Sequence, residues 1–240
     1  MTSKDQADII IFDLDQTLSE SKMPLDADMA VLLCALLCLK KVAVISGAAF
    51  KQFETQVLSR LACPPEVLEN LFLLPTNGAS LYEYKDGKWK NLYHFEFTDA
   101  EKRNIFDAFE KTFKKTNFKK PEKIHGTLIE DRGTQITFSG LGSDAPLALK
   151  EKWDRDHAKR NVLAEVLRAE LPDFSISIGG ATSIDVTRKG VDKAYGITEL
   201  MRRFGYAPEQ VFYIGDALFP GGNDASVISL GIGYISVEKG

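Results

Sequence analysis

The sequence predicts an α/β protein whose core is a parallel sheet, interrupted by an inserted α+β domain. Three observations predict it. Short, continuous, β-branched apolar runs alternate with helical stretches at both ends of the chain. A long middle segment follows an antiparallel plan instead. Acidic and hydroxyl residues stand directly after several of the apolar runs. The 240 residues are 44% hydrophobic and 27% charged, the balance of a soluble globular protein with core enough to need no disulfide or structural metal.

Residues 8–12, DIIIF, read as a strand buried on both faces, and 42–45, VAVI, as its neighbour. Helical stretches lie between them at 26–39 and after them at 50–61, and 71–74 is a third strand. This β-α-β-α-β rhythm argues for parallel strands with right-handed crossovers. The rhythm then changes. Residues 80–84 and 89–97 read as a hairpin around Asp86-Gly87. A charged helix spans 99–115, and a Lys/Pro-rich connector covers 114–123. Strands are expected at 126–130, 134–138, 174–178 and 183–187, with helix over 150–170. After Gly190 the first rhythm returns: helix 193–204, strand 210–214, and a last strand at 231–237. The expected domains are therefore 1–97 with 188–240 as a discontinuous core, and 98–187 as the insert.

The net charge of -4 leaves no basic field for a nucleic-acid partner. The longest apolar run, 29–39, is about half the roughly 20 residues a membrane span needs, so no membrane association is expected. The polar start, 1–7, does not resemble a signal peptide. Cys34, Cys38 and Cys63 lack metal-ligand spacing. Cys34 and Cys38 fall on one apolar helical face, which predicts buried thiols and a reducing, cytoplasmic location.

The chemistry is expected where strands end, because open parallel sheets bind ligands at their carboxyl edge. Asp13 and Asp15 follow the first strand, Ser46 and Gly47 the second, and Asp216 the strand at 210–214. Asp224 lies beyond Asp216 in a Pro-Gly-Gly-Asn-Asp loop. Clustered carboxylates raise one another's pKa unless a cation neutralises them. Mg²⁺ suits such a hard oxygen set together with a substrate phosphate. A metal-assisted carboxylate can attack phosphorus and form an aspartyl-phosphate, while its neighbour two residues on exchanges protons with the leaving oxygen. Ser46 and a lysine, Lys189 or Lys193, are suited to the phosphoryl oxygens. Lys193, which opens a helix, is the better placed.

Asp13-x-Asp15-x-Thr17, Ser46, Lys193 and the Asp216/Asp224 loop, in that order, resemble the four signatures of the haloacid dehalogenase-like superfamily of phosphotransferases. The resemblance implies a Rossmann-like core with a large α+β cap. Within the superfamily the chain is similar in particular to the eukaryotic-type phosphomannomutase family, through Asn77-Gly78, Tyr84 to Lys88, Gly126 to Glu130, and Ser177 to Gly180 with Ser183 and Asp185. It implies Asp13 as nucleophile and Asp15 as general acid/base. Mg²⁺ would be held by Asp13, the Asp15 carbonyl and Asp216, with Asp224 in or near the shell. Thr17, Gly47, Lys22, Arg132, Ser183 and Asp185 would bind a small phosphorylated substrate, and homodimerisation would run through the cap.

The sequence departs from that pattern in places. Gln16 replaces the usual Gly, Lys22 stands where the family carries Arg, and His125 and Ser143 occupy arginine positions, leaving Arg132. A mutase must hold a sugar bisphosphate at both ends, and Arg is the residue suited to bidentate phosphate contact. The sequence therefore predicts a Mg²⁺-dependent phosphatase of a phosphorylated sugar or similar metabolite. The alternative is phosphomannomutase. A phospho-accepting receiver is disfavoured by Asp15 and the large insert, and an inactive binding protein by the intact signatures.

Overall fold

The computed structural model describes residues 6–20, 22–219 and 222–237. The chain divides into two compact units, Met1–His94 with Val191–Gly240, and Phe95–Gly190. These limits stand three residues from the expected ones at each crossing. Phe97 joins the core of the second unit, and the Arg188 guanidinium donates there to the Glu96 carbonyl and the Glu101 carboxylate.

The first unit is a seven-stranded sheet. Its strands are β1 (Ile9–Asp13), β2 (Lys41–Ile45), β3 (Leu71–Leu74), β4 (Ser80–Lys85), β5 (Lys88–His94), β10 (Val211–Gly215) and β11 (Gly233–Ser236). They lie in the order β11-β10-β1-β2-β3-β4-β5. The first five are parallel, and the β4–β5 hairpin adds the antiparallel edge. Alternation along the strands feeds two cores. Ile9, Ile11, Ala43, Ile45 and Tyr213 pack with Ile197 and Leu200 of α7 (Lys193–Phe204). Val42 and Val44 pack with Leu33 and Leu37 of α1 (Ala27–Leu37) and with Phe53 and Val57. Each such side chain contributes about 1.5–3 kcal/mol when fully buried, so helices on both faces hold the sheet. Among the described residues no helix is long and apolar enough to cross a membrane.

Register decides where the chemistry falls. Asp13 pairs with Ile45, and Phe12 with Ile214. Asp13, Ser46 and Asp216 therefore leave the sheet side by side at one carboxyl edge. Gly196 lets α7 approach the Asn77-Gly78 turn. A Cβ on it would lie 2.6 Å from the Gly78 Cα.

Several local expectations are corrected. The stretch 50–61 is one short α-helical segment, α2 (Phe50–Phe53), running into a wider π-type turn over Glu54–Leu58. A short α3 (Pro65–Leu68) precedes β3. The second hairpin strand stops at His94 rather than Phe97, whose amide donates to Gly133 of the second unit. The last strand is Gly233–Ser236, because Gly231 sits at φ +70°. Pro220 and Gly221 of the expected turn lie outside the described residues.

The cysteines also differ from expectation. Cys34 and Cys63 form a disulfide with Cα atoms 5.6 Å apart, and Cys38 is exposed. Cys34 faces the chain segment leading into α3, whereas Cys38 caps α1 on the outward side shared with Val31 and Leu39. The set is not one of buried thiols, and it gives no argument for a reducing compartment. The disulfide closes a sequence separation of 29 residues, for which chain entropy gives about 3–4 kcal/mol. A Cys34→Ala, Cys63→Ala double variant is expected to lose that much unfolding free energy in urea titration, against a control of Cys38→Ala within about 0.5 kcal/mol of wild type.

The second unit carries the sheet β6-β7-β9-β8, all antiparallel. Its strands are β6 (Ile129–Asp131), β7 (Gln135–Ser139), β8 (Phe174–Gly179) and β9 (Ser183–Arg188). Helices α4 (Asp99–Lys115) and α6 (Ala158–Glu170) cover one face through Ile105, Phe109, Leu163 and Leu167 against Ile136, Phe138, Ile184 and Val186. Thr98 and Glu101 close α4 with a reciprocal capping box. The expected helix 150–170 is two helices, α5 (Leu147–Trp153) and α6. The break has a cause. Asp154 accepts from the amides of Lys159 and Arg160 and pairs with the buried Arg160 guanidinium at 2.8 Å. β6 begins at Ile129 rather than 126, because Gly126 turns at φ +76° and a Cβ there would lie 2.4 Å from Ser143 and Asp144.

Candidate active site

Asp13 ends β1 with 2% of its surface exposed. The Lys193 ammonium donates to Asp13 Oδ1 and, at 2.6 Å, to Asp224 Oδ1. Lys193 is itself 1% exposed. It opens α7, whose N-cap Asp192 accepts from the Tyr195 amide. The competing Lys189 is exposed in the second unit and points at the Pro172 carbonyl, 3.4 Å away. Of the two lysines, Lys193 is the one brought to Asp13 and Asp224.

The turn after β1 is tight. Leu18 and Ser19 amides both donate to the Leu14 carbonyl, and Gln16 takes φ +66°. A side chain is thus carried in the left-handed region, where most residues pay a steric cost. The turn brings the Thr17 hydroxyl to 3.4 Å from Asp13 Oδ2. It leaves the Asp15 carboxylate between the Lys22 amide, 2.6 Å from Oδ1, and the Ser46 hydroxyl, 3.4 Å from Oδ2. The two hydroxyl contacts are long for hydrogen bonds. Lys22 meets Asp15 through its main chain while its side chain is exposed. Ser46 is fixed by the Ala48 amide at 3.1 Å. Gly47 makes room for Asn77, whose side chain would lie 3.4 Å from a Cβ there.

The carboxylates of Asp13, Asp216 and Asp224 each place one oxygen within 4.8 Å of the others. Three hard anionic oxygens in that space fit Mg²⁺. The Asp15 carboxylate is not part of this group, so Asp15 has only its main chain to offer a cation there. Burial pushes the Asp13 carboxyl up to about 7, with Asp224 and Asp15 adding to the rise and Lys193 opposing it. For Lys193, burial favours loss of the proton, but Asp13, Tyr213 and Asp224 outweigh it and hold the group well above the usual lysine range.

Sequence reasoning missed Tyr213. Its hydroxyl donates to Asp224 Oδ1 at 2.7 Å and lies 3.5 Å from the Lys193 nitrogen. A tyrosine inside an otherwise apolar central strand was the available signal, since a buried phenol needs a partner.

Ser183 and Asp185 stand on β9 of the second unit, on the polar face opposite the helices. Asp185 Oδ1 accepts from the Thr137 hydroxyl at 2.8 Å. Arg132 donates twice to Glu130 Oε2, at 2.9 and 2.7 Å. Ser143 is engaged locally, accepting from the Thr127 amide and donating to Asp144.

The chain is similar to known proteins in sequence and in fold. The chain is 27% identical over 235 residues to phosphomannomutase 2 of Dictyostelium discoideum, covering 94% of this chain and 88% of that one. It is 26% identical over 226 residues to the phosphomannomutase of Saccharomyces cerevisiae, covering 91% and 84%. In fold it is similar to an IMP-nucleotidase of Plasmodium falciparum, with a TM-score of 0.70 at 15% identity. That match covers 98% of this chain but 66% of the nucleotidase, just under two thirds of its length. It is also similar to a haloacid dehalogenase-like hydrolase of Bacteroides thetaiotaomicron, with a TM-score of 0.62 at 16% identity, covering 95% and 87%. The eukaryotic phosphomannomutase family matches residues 30–233, and with the strand-end acids and buried lysine above, the chain belongs to that family within the haloacid dehalogenase-like superfamily.

Proposed function

We propose that the protein is a phosphotransferase that isomerises a hexose phosphate through a phosphorylated Asp13. This reverses the ranking expected from the arginine departures, since the relatives are phosphomannomutases. The observation that carries the reading is the buried lysine bridging Asp13 and Asp224, two of the three convergent carboxylates, with Asp216 the third.

Lys193 occupies Asp13 Oδ1, so Oδ2, which among the described residues meets only the Thr17 hydroxyl at 3.4 Å, is the oxygen left to attack phosphorus. As the P–O bond to the sugar breaks, Asp15 gives a proton to the departing oxygen. Asp15 then takes a proton from the free hydroxyl of a hexose monophosphate, which attacks the aspartyl-phosphate to give a hexose bisphosphate and frees Asp13; turned end for end, the bisphosphate passes its other phosphate back to Asp13 by the first step. Lys193 and Ser46 stand ready to hold phosphoryl oxygens, in a transfer that depends chiefly on positioning and charge. Asp13, Asp216 and Asp224 would hold Mg²⁺, which would supply charge neutralisation for the carboxylates and the phosphoryl group. Ser183 and Asp185 present a hydroxyl and a carboxylate suited to sugar hydroxyls.

Hydrolysis is the second reading. Arg132 already has a carboxylate partner in Glu130, and His125 and Ser143 stand at arginine positions. The test is incubation with mannose 1-phosphate, Mg²⁺ and a hexose bisphosphate activator, following mannose 6-phosphate against free phosphate. Isomer is expected to form at least tenfold faster than phosphate. Phosphate release outrunning isomer assigns the protein to the phosphatases instead.

A further inference from the structure

Asp224 is fully buried, and its oxygens are largely spoken for. A carboxylate has about four lone-pair positions. Lys193 and Tyr213 donate to two of them, both on Oδ1, and the Ala217 amide donates to Oδ2 at 3.1 Å. One position on Oδ2 is left by these bonds. The carboxylate is also locked in rotation. A Cβ on Gly215 would lie 2.4 Å from Asp224 Oδ2 and 2.7 Å from the Tyr213 ring, so the three residues pack without slack. We propose that Tyr213 makes Asp224 a one-oxygen ligand and thereby favours Mg²⁺ over Ca²⁺ at the acidic cluster.

The chemistry follows from the two ions. Mg²⁺ is small and takes six ligands in near-ideal octahedral order, with carboxylates bound through single oxygens. Ca²⁺ takes six to eight ligands and accepts bidentate carboxylates readily. With Oδ1 filled by an ammonium and a phenol, Asp224 cannot chelate through both oxygens. Tyr213 acts only through Asp224 and is a positioning residue. Its tyrosine ring is buried and the phenol has one donor, already spent on Asp224. Tyr213→Phe removes that donor alone and opens one lone pair of Oδ1 while Lys193 keeps the other.

The proposal rests on the metal reading of Asp13, Asp216 and Asp224, and the experiment separates the two. Mg²⁺ and Ca²⁺ are titrated calorimetrically into the full-length wild type, Tyr213→Phe and Asp216→Asn. The wild type is expected to prefer Mg²⁺, and Tyr213→Phe to lose about tenfold of that preference, the low end of effects from groups that orient metal ligands. A purely structural role would weaken both ions alike, so an unchanged Ca²⁺/Mg²⁺ affinity ratio in Tyr213→Phe overturns the proposal alone. A wild type that binds neither ion, or binds both undiminished in Asp216→Asn, overturns the metal reading and the proposal with it.

Discussion

Asp13→Asn is expected to abolish phosphoryl transfer, by about 10⁴-fold or more in kcat, while the protein stays folded. Loss of a covalent nucleophile commonly costs this much or more. The carboxamide oxygen still accepts from Lys193, so the local geometry survives, but a neutral amide does not form the acyl phosphate. The same substitution has a signature in stability. Burial raises the Asp13 carboxyl to about 7 in the folded protein, against about 3.9 in an unfolded chain. A raised pKa means that the stabilising difference is fully present below about pH 4 and is lost as pH rises through about 7. Without divalent cation, wild-type urea midpoints should therefore fall between pH 5 and pH 8. Asn does not titrate, so the variant should show a shallower fall. Turnover within tenfold of wild type would reject Asp13 as nucleophile, and a steeper fall in the variant would reject the assignment of the titration.

What the sequence made legible was the part governed by strand chemistry. Ile9 to Phe12 and Val42 to Ile45 have no polar face to turn outward, so they could only be central strands, and their ends located Asp13 and Ser46. Asp13, Ser46 and Asp216, each at the end of a core strand, were then expected to converge, because parallel strands share a carboxyl edge. Illegible were features set by tertiary partners. Nothing within residues 150–170 announces the break that the Asp154–Arg160 pair imposes, because that pair closes on the Gly179 and Gly180 carbonyls. Cys34 and Cys63 are 29 residues apart in sequence, and only the packing of α1 against the segment entering α3 makes them neighbours. Tyr213 lay hidden for a related reason: its value comes from Asp224, eleven positions on in sequence, across a loop whose course the sequence does not show.

Lys193→Met should destabilise the cation-free protein by about 3–5 kcal/mol, the usual cost of stripping one partner from a buried ion pair. The side chain is one heavy atom shorter and keeps the apolar stem, so little packing is lost. What is lost is the ammonium that pairs with both Asp13 and Asp224, at 2% and 0% exposure. Burying lysine has its own desolvation cost, and removing it recovers part of that. The two carboxylates it leaves behind are the larger debt, because neither has water to turn to. A divalent cation bound by the same carboxylates would take over the missing countercharge, and ligand linkage then restores stability in proportion to the logarithm of its concentration. Saturating Mg²⁺ is therefore expected to stabilise Lys193→Met by more than it stabilises wild type, measured as the shift in urea midpoint. Activity should not recover with it. Lys193 also fixes Asp13 Oδ1 and faces the phosphoryl oxygens, a role whose removal costs about 10²–10³ in kcat by analogy with other preorganised donors. Lys189→Met is the matched control. Among the described residues its exposed ammonium meets the Pro172 carbonyl at 3.4 Å, and its loss should stay within about 0.5 kcal/mol. A Lys193→Met protein as stable as wild type without cation would mean that Asp13 and Asp224 do not repel each other in the fold, and the charge logic of the whole site would fail.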